Sequence, residues 1–254
     1  MSGQHTLAAI RPLDRARVNG NLHDEIYVAL RQALIVGDVV PGQAFSSRML
    51  AERFGTSLIP VRDALRRLYA EHALALLQSG TFCVPKMSRQ RFQELLQVRL
   101  NLETMLTRRA AERIAPRTIR ELDAINAEMQ DAVPANEVRR YLIANQRFHF
   151  TIYGAAGSLA IFPIVESLWM QIGPFLNGVF TIAGTRNARD NHTQVLKALR
   201  RHDPIAAGDA LAKDLADAAD VILASAEFVV DEEEGANGRA KAGRKAAKRT
   251  EELR

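Results

Sequence analysis

The chain has 254 residues, 47% hydrophobic and 25% charged, and its 34 Lys and Arg against 29 Asp and Glu give a formal charge of +5. That balance belongs to a globular protein with room for one large domain or two small ones, and it excludes a fibrous or wholly disordered chain. No apolar run approaches the roughly 20 residues that cross a bilayer, no apolar segment precedes a cleavage site near Arg11, Arg15 and Arg17, and a lone Cys83 excludes an internal disulfide or a cysteine metal knuckle; the expectation is a cytoplasmic protein without membrane contact.

Charge is unevenly placed. Residues 11–89 hold eleven Arg or Lys against seven Asp or Glu, a net of +4, whereas residues 90–230 hold sixteen of each. A positive N-terminal third favours an acidic partner there. Residues 1–20 are expected to be a flexible arm. Leu22, Ile26, Ala29, Leu30, Ala33 and Leu34 then recur at helical spacing and stop at Gly37, which predicts an amphipathic helix. After the Val40-Pro41-Gly42 turn, a second helix is predicted from about Ser47 to Phe54, burying Leu50, Ala51 and Phe54. Gly55 forces a turn into Ser57, a good N-cap for a third helix that carries Pro60 in its first turn and runs to about Glu71. Val61, Leu65 and Leu68 form its apolar face, leaving Leu58, Ile59, Arg62, Asp63 and Arg66 elsewhere. Leu74 to Leu77 and Thr81 to Val84 flank Gln78-Ser79-Gly80 and read as a hairpin. Residues 21–86 are thus predicted to be a winged helix-turn-helix of three helices and a small β-hairpin.

From Ser88 the pattern is helical, with helices predicted near 88–114, 117–132, 136–154, 158–180, 188–201 and 204–230. Residues 87–230 should therefore form an all-α bundle of six or seven helices, so the fold class is mainly α. Residues 231–254, with seven positive and six negative side chains and Gly235, Gly238 and Gly243, are expected to be a disordered charged tail.

A helix that enters the major groove needs donors on an exposed N-terminal turn and an apolar face resting on a supporting helix. Residues 57–68 offer both. Arg62 and Arg66 lie one turn apart, Arg67 is beside them and Arg48 begins the preceding helix, all able to reach phosphate or guanine. In the helical part, Val138, Leu142, Asn145, His149 and Ile152 share a stripe; His192 heads Val195, Leu196 and Leu199; Asp214 runs with Leu211, Ala218 and Val221; Arg99 lies between Leu95, Leu102 and Leu106. Inward polar groups are costly without partners, and ligation of a metal or a bound anion would supply them.

The order of a first helix, Pro41-Gly42, Leu50-Ala51-Glu52-Arg53-Phe54-Gly55 and Pro60-Val61-Arg62-Asp63-Ala64-Leu65-Arg66-Arg67-Leu68 resembles the GntR regulators, and the helical remainder resembles their FadR-like branch with its FCD effector domain. The resemblance spans roughly residues 22–230. It implies a cytoplasmic homodimer on a short palindrome of double-stranded operator DNA, contacted through Arg48 and Arg62, with Gly80 letting the wing near the minor groove; Ser57, Leu58, Ile59 and Arg66, by their place on the helix, complete the expected reading surface. Leu58 stands where the family usually has arginine, which implies a lost guanine or phosphate contact or an apolar contact with a thymine methyl. His72 stands where the family usually has glycine. The family also commonly binds a divalent metal through an Asp-x-x-x-His pair and two later histidines. That implies a metal set of Asn145, His149, His192 and Asp214, with Asn in place of Asp and Asp in place of the last His, compatible with Zn, Ni or Mn. In the alternative, Arg99, Asn145, His149 and His192 hold a small-molecule effector, an organic or sugar acid, without metal. The expected function is a repressor of transcription modulated by such an acid; an effector-free architectural DNA-binding dimer and a metal-dependent hydrolase are the alternatives. No His-Glu-x-x-His, Gly-x-Ser-x-Gly or phosphate-binding glycine loop supports an enzyme.

Overall fold

A computed structural model describes residue 10 and residues 22–180 and 185–230; the expected N-terminal arm and charged tail fall almost wholly outside them. The reading part begins with α1 (Leu22–Ile35), followed by β1 (Ala44–Phe45), α2 (Ser47–Phe54), α3 (Leu58–Ala70), β2 (Ala75–Leu76) and β3 (Phe82–Cys83). The three strands form an antiparallel sheet in the order β1-β3-β2, pairing Phe45 and Leu76 with Phe82. The hairpin expectation contained β2 and β3 but not β1, whose two residues are too short to show an alternation. Ile26, Leu30, Leu34, Leu50, Val61, Leu65 and Leu68 are buried together, so the three helices close one apolar core.

The helical part comprises α4 (Arg89–Arg113), α5 (Pro116–Ala132), α6 (Val138–Ala155), α7 (Ile161–Phe180), α8 (Thr185–Arg200) and α9 (Pro204–Ser225). Ser88 and Asp203 cap α4 and α9 by accepting from the backbone N–H of Arg91 and Ala206, the usual remedy for unpaired first-turn donors. The last helix stops at Ser225 rather than near 230. Ala226 turns to an extended conformation, and the strand-like strap that follows runs back beside the start of α4, where Val229 N donates to the Met87 carbonyl at 3.1 Å and Val229 bridges Ser88. Phe228 of the strap packs edge-on to Phe92, and Arg89 lies over its ring.

The two parts are joined by more than the chain. Arg139 on α6 grips Asp38 with two hydrogen bonds of 2.7 Å, and Arg31 on α1 pairs with Glu166 on α7. At Gly173 the helices α1 and α7 approach so closely that a Cβ would lie 2.1 Å from the Leu34 carbonyl oxygen. Only glycine admits that contact. Among the described residues no helix is long and apolar enough to cross a membrane.

Candidate functional site

Two sites emerge, one exposed and one buried. On α3 the apolar stripe of Val61, Ala64, Leu65 and Leu68 is buried, which fixes the opposite face outward. Leu58 is 37% exposed and Ile59 67%, and Arg62, Arg66 and Arg48 are exposed as well. Neither Arg48 nor Arg62 has an ion-pair or side-chain hydrogen-bond partner among the described residues, while Arg66 has only a 3.7 Å contact with Asp63. Arg67 differs from them. Its guanidinium lies 3.6 Å over the Tyr27 ring and faces Glu71 at 3.3 Å and Asp24 at 3.5 Å, so it ties α3 to α1.

Ser57 occupies the N-cap position, yet its side chain makes no capping bond; the expected cap is correct in place but not in bonding. The first N–H groups of α3 therefore remain open to an external anion. His72 follows the helix with φ 60°, doing in the left-handed region what glycine does more cheaply. At the wing tip Gly80 has φ 77° and donates to Leu77 at 2.9 Å, and a Cβ there would meet nothing within 4 Å. Glycine is required by the turn rather than by crowding, and the tip is open.

The second site is the core of the helical part. Asn145, His149, His192, Asp214 and Arg99 are all buried, as their stripes predicted. The helices α6, α8 and α9 bring one ligand atom each from His149, His192 and Asp214 within 4.8 Å of one another. His149 Nε2 lies 3.3 Å and His192 Nε2 3.5 Å from the Asp214 carboxylate, with 3.3 Å between the two ring nitrogens. Asn145 lines one small cavity together with His149 and Asp214.

Around these groups lies a network that the sequence did not reveal. Glu103, wholly buried, accepts from Arg99 Nε at 2.6 Å, from Trp169 Nε1 at 3.1 Å and from the Tyr153 hydroxyl. Tyr153 has one proton, and it goes to Glu103. Its oxygen is then free to accept from His149 Nδ1 at 3.0 Å, a bond that turns the ring so that Nε2 faces His192 and Asp214. This is the arrangement by which an outer partner orients a metal-binding histidine. Burial, more than the neighbouring His149, lowers the His192 pKa to about 4, although Asp214 works the other way. Burial opposes the charge on Asp214, but His192, His149 and Arg99 outweigh it and hold this carboxyl below its ordinary range. Two imidazoles and a carboxylate thus meet at one point, a set suited to a divalent cation of borderline softness.

The cavity at this centre, bounded by Arg99, Asn145, His149, Trp169 and Asp214 among others, measures about 30 Å³. At the roughly 10–15 Å³ that one water needs, that is room for about two waters. Arg99, proposed by its stripe to receive a carboxylate, is already committed to Glu103 and lies over the Trp169 ring. A hint of Glu103 and Tyr153 was present in the sequence, since each stands four residues after a singled-out residue, Arg99 and His149, and so on the same helix face.

Residues 22–84 match the family described as bacterial regulatory proteins, gntR family, and residues 94–217 match the FCD domain. The chain is 28% identical over 177 residues to the HTH-type transcriptional regulator McbR of Escherichia coli, covering 68% of this chain and 80% of that protein. It is 21% identical to the gluconate operon transcriptional repressor of Bacillus subtilis, covering 68% and 70%. The solved structure of E. coli McbR/YncC superposes with a TM-score of 0.76 at 26% identity, over 80% of this chain and 97% of that one.

Proposed function

We propose that this chain, which belongs to the gntR family of bacterial regulatory proteins and carries an FCD domain, is a cytoplasmic, homodimeric repressor that reads its operator through α3 and holds a divalent metal in its helical core. Its relatives are transcription regulators, and it is a regulator rather than an enzyme. The observation that carries the reading of DNA is the division of labour on one helix: Arg62 is exposed without a partner among the described residues while Arg67, five residues on, is consumed by the protein itself. Arg48, Ser57, Leu58, Ile59, Arg62 and Arg66 make the contacts, with Gly80 at the wing. Leu58 and Ile59 present apolar surface to the groove, which favours thymine methyl groups at the positions they reach.

In the core, His149, His192 and Asp214 would hold Zn, Ni or Mn, with Asn145 beside them. A bound cation would supply a Lewis-acid anchor for the carboxylate of a small organic or sugar acid once the core opened to admit one, a class in keeping with the gluconate operon repressor among the relatives. The protein's own residues set the ligand geometry: Tyr153 orients His149, and Glu103 fixes Tyr153, Trp169 and Arg99. Metal analysis of purified protein, with operator affinity measured before and after chelation, tests this. We expect near-stoichiometric metal that is absent from His149→Ala/His192→Ala and an operator affinity that moves on chelation. Equal, near-zero metal in both proteins removes the metal from the reading. An effector-free regulator is the second reading, and the size of the central cavity favours it.

A further inference from the structure

The buried centre, at about 30 Å³, has no space for an organic molecule in this arrangement. A second cleft of about 340 Å³ lies where the reading part meets the helical part, within the range of small-molecule sites. Its walls come from four separate stretches: Val40 and Pro41 after α1, Lys86 before α4, Phe175 on α7, and Glu227 and Phe228 in the strap. The Phe175 and Phe228 rings lie near parallel, at 13° with 6.2 Å between centroids, so half-buried Phe228, backed by buried Phe175, gives the cleft an apolar wall. The stem of Lys86 lies across Gly42, where a Cβ would come within 2.8 Å of Lys86 Cε, so this lysine is seated against the turn rather than loose on the surface. Lys86 and Glu227 are exposed, and neither has an ion-pair partner among the described residues.

We propose that this cleft is a second ligand site, for a small zwitterion with an apolar body, the chemistry of an apolar α-amino acid. The unpaired charges decide the class. A simple carboxylate would pair with Lys86 but be opposed by Glu227, and a simple amine would meet the reverse; a zwitterion satisfies both, and charge complementarity of this kind sets specificity. The apolar side chain then covers the Phe175 and Phe228 rings. Because the ligand touches Val40, Pro41 and Lys86 on one side and α7 and the strap on the other, it favours this placement of the reading part, and by linkage it alters operator affinity. That regulatory consequence rests on the function proposed above; the binding itself does not.

Calorimetric titration of the full chain tests the site, using L-phenylalanine and L-leucine as zwitterions, 3-phenylpropionate as anion and phenethylamine as cation. Wild type, Lys86→Met, Glu227→Gln and His149→Ala/His192→Ala are compared. At least one of the two amino acids should bind wild type and the double histidine variant alike, more tightly than either singly charged probe, and each of the two cleft variants should weaken it by about tenfold or more. Silence with both amino acids, binding indifferent to Lys86→Met and Glu227→Gln, binding lost with the central histidines, or preference for a singly charged probe overturns the proposal. Failure of the chain to bind DNA would strike the regulatory reading and leave the titration standing.

Discussion

The reading helix and the buried centre handle charge in opposite ways. On α3, among the described residues, the exposed guanidinium of Arg62 has no partner, and Arg66 has only a loose, exposed contact with Asp63, of a kind worth at most about 1 kcal/mol. In the centre Glu103 accepts three hydrogen bonds and Asp214 faces two imidazoles. The physics of desolvation explains the contrast. An exposed guanidinium keeps its hydration until phosphate or guanine replaces it, whereas a buried carboxylate without partners costs several kcal/mol and must be compensated inside the chain. One region is built to be completed by a large anion, and the other completes itself except for a gap of about 30 Å³.

Changes to the centre should therefore affect stability most. Glu103→Ala leaves Arg99, Tyr153 and Trp169 without their acceptor, and we expect a loss of about 3–5 kcal/mol in urea denaturation; a loss below about 1 kcal/mol would show that the network is decoration. Acid should weaken the centre next. Unfolded chain takes a proton on this histidine near 6.5, while folded His192 does so only near 4, so between those values the unfolded state binds more protons. Stability from this group is complete above pH 6.5 and declines as pH falls toward 4, by at most about 1.4 kcal/mol per pH unit. Asp214, held low in the folded chain, adds a loss of the same sign further down. A denaturation series from pH 7.5 to 4.5 checks this, and His192→Phe should flatten it. Added divalent metal at about 100 times its Kd should raise stability by about 2.7 kcal/mol, read as a melting shift that His149→Ala abolishes. The smallest effect belongs to the reading part: His72→Gly relieves a left-handed residue and should add up to about 1 kcal/mol, without touching the centre.

Much of the reading part was legible because helical spacing and punctuation coincide there. Leu22 to Leu34 ends at Gly37, Gly55 precedes Ser57, and the buried faces of α2 and α3 follow the i, i+4 pattern. What escaped was two-residue β1, and the true fate of Arg67, whose partners Tyr27 and Asp24 lie 40 and 43 residues away. In the helical part the stripes placed Asn145, His149, His192 and Asp214 inward; His149, His192 and Asp214 converge, and Asn145 lines a cavity with two of them. The outer network was not legible, since Trp169 carries no helical-stripe signal that sets it apart and the Glu103 hub is assembled from α4, α6 and α7. The end of α9 was set too late because Phe228, Val229 and Val230 are apolar and continue its hydrophobic run, although they serve the strap.

The claim on which the rest depends is that α3 reads DNA through its unpartnered arginines. Selection from a random duplex pool, followed by binding of the enriched site to wild type, Arg48→Ala, Arg62→Ala and Arg67→Ala, measures it directly. The contrast drawn above predicts a short palindrome, a loss of about 1–3 kcal/mol for Arg62→Ala at unchanged fold stability, a shallower salt dependence for Arg48→Ala, and for Arg67→Ala a fall in stability instead. No enriched sequence, or equal affinity in wild type and Arg62→Ala, would contradict it.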